Sequence, residues 1–340
     1  MNIILQKRLE RFRANKRGFY SSIIFFILFI VTLCSEFVAN DKPILVLHQD
    51  EFYFPVFTFY PETAFGGDFE TEADFSDPFV RELVTEKGGY IISPLIPFSY
   101  DTIDRSETRP APAPPNYRHF LGTDDRQRDV LARSLYGFRI SVLFGLMLTF
   151  SASIIGIAAG AIQGYFGGKI DLFAQRFIEM WNAMPSLYIL IILSSLLIPN
   201  FWVLLVIMLF FSWTALTGVV RAEFLRTRNF DYVRAAKAMG LSDGTIMLRH
   251  VLPNAMTAAL AMLPFIVAGS TVTLASLDFL GLGLPPGSPS LGELILQGKN
   301  NLEAPWLAIT AFVVMAVMLT LLVFIGEAIR DAFDPRKVIA

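Results

Sequence analysis

Five stretches of this chain run for 18 residues or more without an aspartate, glutamate, lysine or arginine, and no other feature restricts the fold as severely. They are Gly18 to Ser35 (18 residues), Ile140 to Gly168 (29), Met180 to Val220 (41), Val251 to Leu277 (27) and Ala304 to Gly326 (23). A bilayer core of about 30 Å takes about 20 apolar residues as a helix, because backbone polar groups there must be satisfied internally. The 41-residue run is long enough for two spans, with Pro199-Asn200 at the turn between them. The sequence therefore predicts an all-α polytopic membrane protein with six transmembrane helices, at 18–39, 139–163, 177–198, 201–220, 255–277 and 305–327. Membrane lipid is its first partner. Charged residues make up 17% of the chain, against about 25% in a soluble domain. That balance excludes an ordinary soluble enzyme and a disordered chain. A net charge of −2 and the lack of a long basic tract argue against nucleic acid as a partner.

The first apolar run follows a basic start and could be a signal peptide. Glu36-Phe37-Val38-Ala39-Asn40 lacks the small-x-small cleavage pattern, and the run exceeds a usual signal core, so the segment reads as a retained anchor. Orientation follows from lysine and arginine in short loops. Residues 1–17 carry six basic residues. Six helices return the 221–254 loop to that same side, with Arg221, Arg226, Arg228, Arg234, Lys237 and Arg249. The 328–340 tail adds Arg330, Arg336 and Lys337, whereas the opposite loop 278–304 has only Lys299. Both termini are expected in the cytoplasm, and 40–138 outside as an insertion between helices 1 and 2.

That insertion is acidic: residues 41–137 hold 17 acidic and 9 basic side chains. Six aromatics crowd residues 51–60, and Pro110, Pro112, Pro114 and Pro115 make a stiff lead back to the membrane. The segment reads as a small packed cap or as a docking surface for a partner or substrate, and the two are compatible. Within the second helix, Gly156, Gly160 and Gly164 share one face and admit a close neighbouring helix. Arg176 with Glu179, and Glu327 with Arg330, are one turn apart and read as structural pairs.

Chemistry-bearing motifs are lacking. Near Gly167-Gly168-Lys169 the phosphate-loop pattern fails, with Gln163 where its first glycine belongs and Ile170 after the lysine. There is no Gly-x-Ser-x-Gly elbow and no His-Glu-x-x-His helix. The single Cys34 and the scattered His48, His119 and His250 offer no metal spacing. No catalytic, cofactor-binding or metal residue is therefore assigned.

The loop 228–254 carries the most specific local signals. Tyr232 to Met239 is helix-forming, Gly240 is placed to end that helix left-handed, and Ser242 can cap a second short helix running to about Val251. Pro253 would then open the next span. A small projecting element of this kind buries little of itself and suits insertion into a cytoplasmic socket.

Ala235, Ala236, Gly240, Leu252 and Pro253 resemble, at the right spacing, the Glu-Ala-Ala loop of binding-protein-dependent ABC importer permeases, with Arg234 where the glutamate usually stands. The stretch from Leu121 through Asp124, Arg128, Asp129 and Arg133 to Ser141 resembles the dipeptide and oligopeptide C-type permeases, with Gln127 in place of their glycine. Leu277 to Gly292 resembles the outer loop between helices 5 and 6 of that family. The aromatic insertion resembles the branch that imports peptides and the peptide-nucleotide antibiotic microcin C. The resemblance implies a type I ABC importer permease fold in a bacterial inner membrane, forming half of a peptide pore. It implies three partners: a second homologous permease, an ATPase subunit with two fused nucleotide-binding domains that holds the ATP and Mg, and a periplasmic peptide-binding protein. It also implies that a helix at 241–248 couples to the ATPase, with Ala235, Ala236, Gly240, Leu241, Ser242, Ile246, Leu248, Leu252 and Pro253 forming the coupling loop. A stand-alone channel or secondary transporter is the alternative, and sparse intramembrane charge argues against it. A membrane sensor lacks an output domain.

Overall fold

Helix formation follows the charge-free runs but does not stop at their edges. The computed structural model describes residues 3–86 and 88–333. Among them five helical stretches are long and apolar enough to cross a membrane: Lys16–Leu33, Val130–Phe166, Phe201–Thr227, Asp243–Phe279 and Pro305–Phe333. A sixth span is a broken one, Gly168–Asn182 with Ser186–Leu193, bent by 65°. Spans bounded by charge alone are short by up to twelve residues at one end, because the hydrogen-bond ladder continues into water once it has been nucleated.

In chain order the elements are α1 (Ile3–Ala14), α2 (Lys16–Leu33), α3 (Ser35–Val38), β1 (Leu45–His48), β2 (Glu51–Tyr53), α4 (Pro78–Glu86) and β3 (Tyr90–Ile92). Then come α5 (Val130–Phe166), α6 (Gly168–Asn182), α7 (Ser186–Leu196), α8 (Phe201–Ser212), α9 (Thr214–Thr227), α10 (Asp231–Ala238) and α11 (Asp243–Thr245). A π turn (Ile246–Val251) leads into α12 (Leu252–Phe279), followed by α13 (Leu291–Asn300) and α14 (Pro305–Phe333). The expected single helix at 177–198 is instead α6 and α7. Pro185 has no N–H to give the ladder and pushes Met184 out of the helical region, so the span breaks there.

The chain divides into two compact units. The first holds the stretch through Phe26, Ser141–Pro285 and the stretch from Ala316 onward. Its helices approach closely where the sequence places glycine. A Cβ on Gly156, Gly160 or Gly164 of α5 would lie 2.4, 2.6 or 2.5 Å from the carbonyl oxygens of Trp213, Thr217 and Arg221. Three glycines spaced by four thus face three backbone carbonyls at the same period along α9 and its cap, which is the small-residue mode of helix packing. Arg176 and Glu179 pair at 2.6 Å on an exposed face. Glu327 and Arg330 form no ion pair among the described residues.

The second unit holds Ile27–Ile140 and Pro286–Met315. It contains a three-stranded antiparallel sheet, in the order β2-β1-β3. One face of the sheet covers a small core of Val46, Phe65, Ala73, Phe75, Val80 and Val84, with Tyr53 and Tyr60 against it. Two of the six aromatics in the run therefore pack into the cap. Charges of the 121–141 segment form a buried brace: Arg133, fully buried, reaches Asp124 at 3.3 Å and Glu293 at 3.0 Å, and donates to the carbonyls of Tyr100 and Ser288. Arg128 joins through a 2.7 Å bond to Asp124. Buried charges need this degree of pairing to be tolerated. Gln127 adopts the left-handed turn itself, at φ 58°, and its amide donates to the carbonyls of Arg109 and Glu107. The tight turn that glycine would make is present without glycine.

Candidate functional site

The loop at 228–254 belongs to the first unit and is built from α10, a sharp reversal, and the start of the long helix that ends at Phe279. Helix α10 turns Val233 and Ala236 inward, three residues apart. They join Leu216, Val220, Phe224, Ile246, Val251, Ala255 and Ala259 in one apolar cluster. The reversal is a complete Schellman cap. Gly240 has φ 81°, its N–H donates to Lys237 O at 3.0 Å, and Leu241 N–H donates to Ala236 O at 3.3 Å. Ser242 follows in extended backbone, and its Oγ accepts from the Thr245 N–H at 3.4 Å to start the next helix.

Three longer-range bonds fix the reversal. Tyr165 of α5 donates to the Asp243 carboxylate at 2.6 Å. Tyr232 Oη donates to His250 O at 3.4 Å and accepts from Asn254 Nδ2 at 2.9 Å, so the two arms of the loop are clamped together. Below them, Arg228 donates to Tyr165 O at 3.2 Å at the C-terminal end of α5, where a cation suits the helix dipole. Arg221 and Asp171 form a bidentate pair that ties α9 to α6.

The expected coupling residues separate into two groups. Ala236 and Ile246 are buried in the cluster, and Leu252 packs against it half-buried. Ala235, Gly240, Leu241, Ser242, Leu248 and Pro253 are exposed. Met239, Leu241 and Leu248 are 74%, 37% and 65% exposed, so the tip of the loop carries three uncovered apolar side chains. Sequence reasoning missed Met239, although an apolar residue next to a C-terminal glycine is the available signal. It also missed Tyr165 and the Tyr232–Asn254 clamp, which join residues 22 to 78 positions apart. Arg234 is exposed and takes part in no ion pair among the described residues.

One expectation is corrected. No separate helix lies at 241–248 with a fresh start at Pro253. The helix begins at Asp243, widens to a π turn over Ile246–Val251, and runs without a break to Phe279. Pro253 falls in the first turn of α12, where a missing N–H costs least, so it does not interrupt the run. The site holds no nucleophile paired with a base. What it offers is a rigid, apolar, cation-flanked projection, with Lys237 and Arg249 at its sides, joined to a membrane span.

Residues 152–339, which include this loop and every helix packed on it, match the family described as binding-protein-dependent transport system inner membrane component. The chain belongs to that family. Among its relatives, the permease is 58% identical over 334 residues to the inner membrane ABC transporter permease protein YejE of Escherichia coli (strain K12), covering 98% of both chains. It is 53% identical to the peptidoglycan transport system permease protein YejE of Agrobacterium fabrum, over 98% of this chain and 93% of the other. The oligopeptide transport system permease protein OppC of Lactococcus lactis subsp. lactis is 37% identical over 66% of this chain. The resemblance read from the Ala-Ala-Gly loop and the 121–141 segment is thus an inheritance along nearly the whole permease, and the multi-pass helical fold is the family's fold.

Proposed function

We propose that this permease forms half of the translocation pore of an ATP-driven importer in the inner membrane. Its cargo is peptides, including peptide conjugates of the microcin C kind. Both termini and the 228–254 loop face the cytoplasm, and the second unit's cap lies on the periplasmic side. A second homologous permease completes the pore, a periplasmic peptide-binding protein delivers cargo, and a partner subunit with two fused nucleotide-binding domains holds ATP and Mg. The exposed tip of Met239, Leu241 and Leu248 seats in that ATPase subunit. One observation carries this reading: the tip is apolar, uncovered, and continuous with a membrane span. A partner can shift the permease between states only by holding them differently, and a rigid projection is the means of doing so. The name of the Agrobacterium relative favours a second cargo, peptidoglycan fragments, for the same pore.

The test is a Gly240 series. At φ 81° with open space around it, Gly240→Asn is tolerated, whereas Gly240→Pro cannot take that φ and loses the bond to Lys237. Uptake of labelled peptide is expected to persist in the first variant and to vanish in the second, with both chains still inserted in the membrane. Undiminished uptake by Gly240→Pro would remove the coupling role. Competition by peptidoglycan fragments against labelled peptide decides between the cargoes.

A further inference from the structure

Apart from the His48–Glu51 pair, the sheet of the second unit is apolar on both faces. Val46, Tyr53 and Ile91 are paired across the strands on the inner face. On the outer face Leu47 lies opposite both Phe52 and Tyr90, and Leu45 lies opposite Ile92. An antiparallel sheet with one solvated face alternates apolar with polar residues, and this one does not. Phe52 and Tyr90 are 64% and 65% exposed. Phe54, Phe57 and Phe59 continue the uncovered surface along the aromatic run. The two segments that build it, residues 52–61 and 88–100, contain no charged side chain. A patch of this kind marks a protein or membrane contact.

We infer that this aromatic face rests in the membrane, in the leaflet at the C-terminal end of α2. Two observations choose lipid over protein. The ring of Phe57 packs edge-on against Phe37 at 5.5 Å, and Phe37 lies four residues beyond the last residue of the first span. The exposed end of that span, with Ile30 and Leu33, therefore continues through Phe37 into the aromatic face. The second observation is the uninterrupted lack of charge, since a protein interface carries a polar, charged rim around its apolar centre. Tyr53 and Tyr60 of the aromatic run pack on the cap's core, and its four phenylalanines anchor the cap to lipid, as apolar faces do when they sit about 5–10 Å into the headgroup boundary. The cap is thereby held against the bilayer beside the first span.

The experiment uses the full chain with its co-purifying subunits in nanodiscs of phosphatidylethanolamine and phosphatidylglycerol. Cys34→Ser removes the native thiol. Nitroxides are then attached singly at Phe57→Cys, Phe59→Cys and Tyr90→Cys, with Tyr117→Cys, 86% exposed, as the water-facing reference. These side chains lie outside the core, so the substitutions leave folding intact. Collision with oxygen, which partitions into lipid, and with a water-soluble nickel chelate is measured at each site. The expected result is a severalfold higher oxygen-to-nickel ratio at 57, 59 and 90 than at 117. Nickel access equal to that at 117 would place the face in water and overturn the inference. Exclusion of both reagents would place it under another protein chain and overturn it equally.

Discussion

Replacing Gly160 by alanine adds one methyl group where α5 and α9 touch. The new Cβ would stand 2.6 Å from Thr217 O and 3.0 Å from Arg221 N and Val220 Cβ. Ordinary van der Waals contact begins near 3.4 Å, so the helices must part by about 0.8 Å along this seam. A gap of about 0.5–1 Å forfeits a quarter to a half of each contact along the rest of the interface. Overpacking costs about 1–3 kcal/mol, offset by about 1 kcal/mol of alanine's better helix propensity. The net expectation is a loss of up to about 2 kcal/mol. Gly218 on α9 supplies the control, since a Cβ there meets nothing within 4 Å. Gly218→Ala should stabilise by about 0.5–1 kcal/mol through propensity alone. Thermal unfolding of the purified chain in one detergent, followed by tryptophan fluorescence, ranks Gly218→Ala above wild type and Gly160→Ala below it. A Gly160→Ala midpoint at or above wild type would show that the seam is not close-packed, and would refute the reasoning for Gly156 and Gly164 as well.

Two predictions concern the second unit. Gln127 holds a left-handed φ that costs a non-glycine residue about 1–2 kcal/mol. Gln127→Gly relieves that cost while losing the two amide bonds, whereas Gln127→Ala loses the bonds and keeps the cost. Chemical denaturation should place the alanine variant about 1–2 kcal/mol below the glycine variant; equal stabilities would refute the strain. His119 is buried, with Nδ1 2.8 Å from Asp129, Nε2 3.1 Å from Asp104 and the ring of Phe98 beside it, while Arg118 also faces Asp104. Burial disfavours its charged form, but the hydrogen bonds it donates to Asp129 and Asp104 outweigh burial and hold its pKa above the ordinary value. Its contribution to stability is therefore full below about pH 6.5 and is lost as pH rises through the folded value. Hydrogen exchange in 98–129, corrected for intrinsic rate, should show protection falling from pH 6 to 9 in wild type and a flat profile in His119→Gln.

The spans were legible because water and lipid differ so sharply in their treatment of charge. Their ends were not, since α5 starts at Val130 and α9 runs to Thr227, both within charged sequence that the helix ladder simply continues through. The break at Pro185 was hidden by the charge-free run that surrounds it, although proline's missing donor was in plain sight. At the candidate site, Gly240 and Ser242 act through neighbours one to five residues away, so local rules suffice. Tyr165 and Asp243 meet only because α5 passes the loop, and no local pattern carries that information. The aromatic run shows the same division: its density signals burial of some kind, but pairing register decides which rings enter the core.

The stretch from Asp243 to Phe279 is mechanically one rod. At about 1.5 Å per residue, its 37 residues span about 55 Å. The π turn over Ile246–Val251 widens this helix without interrupting it, so Leu248 and the apolar shaft beyond it belong to one helical body. The soft point lies further along, at Pro264, buried inside α12, where one rung of the ladder has no donor. A bend there divides the helix into arms of about 32 Å toward Asp243 and about 23 Å toward Phe279, so the same angle displaces the Asp243 end further.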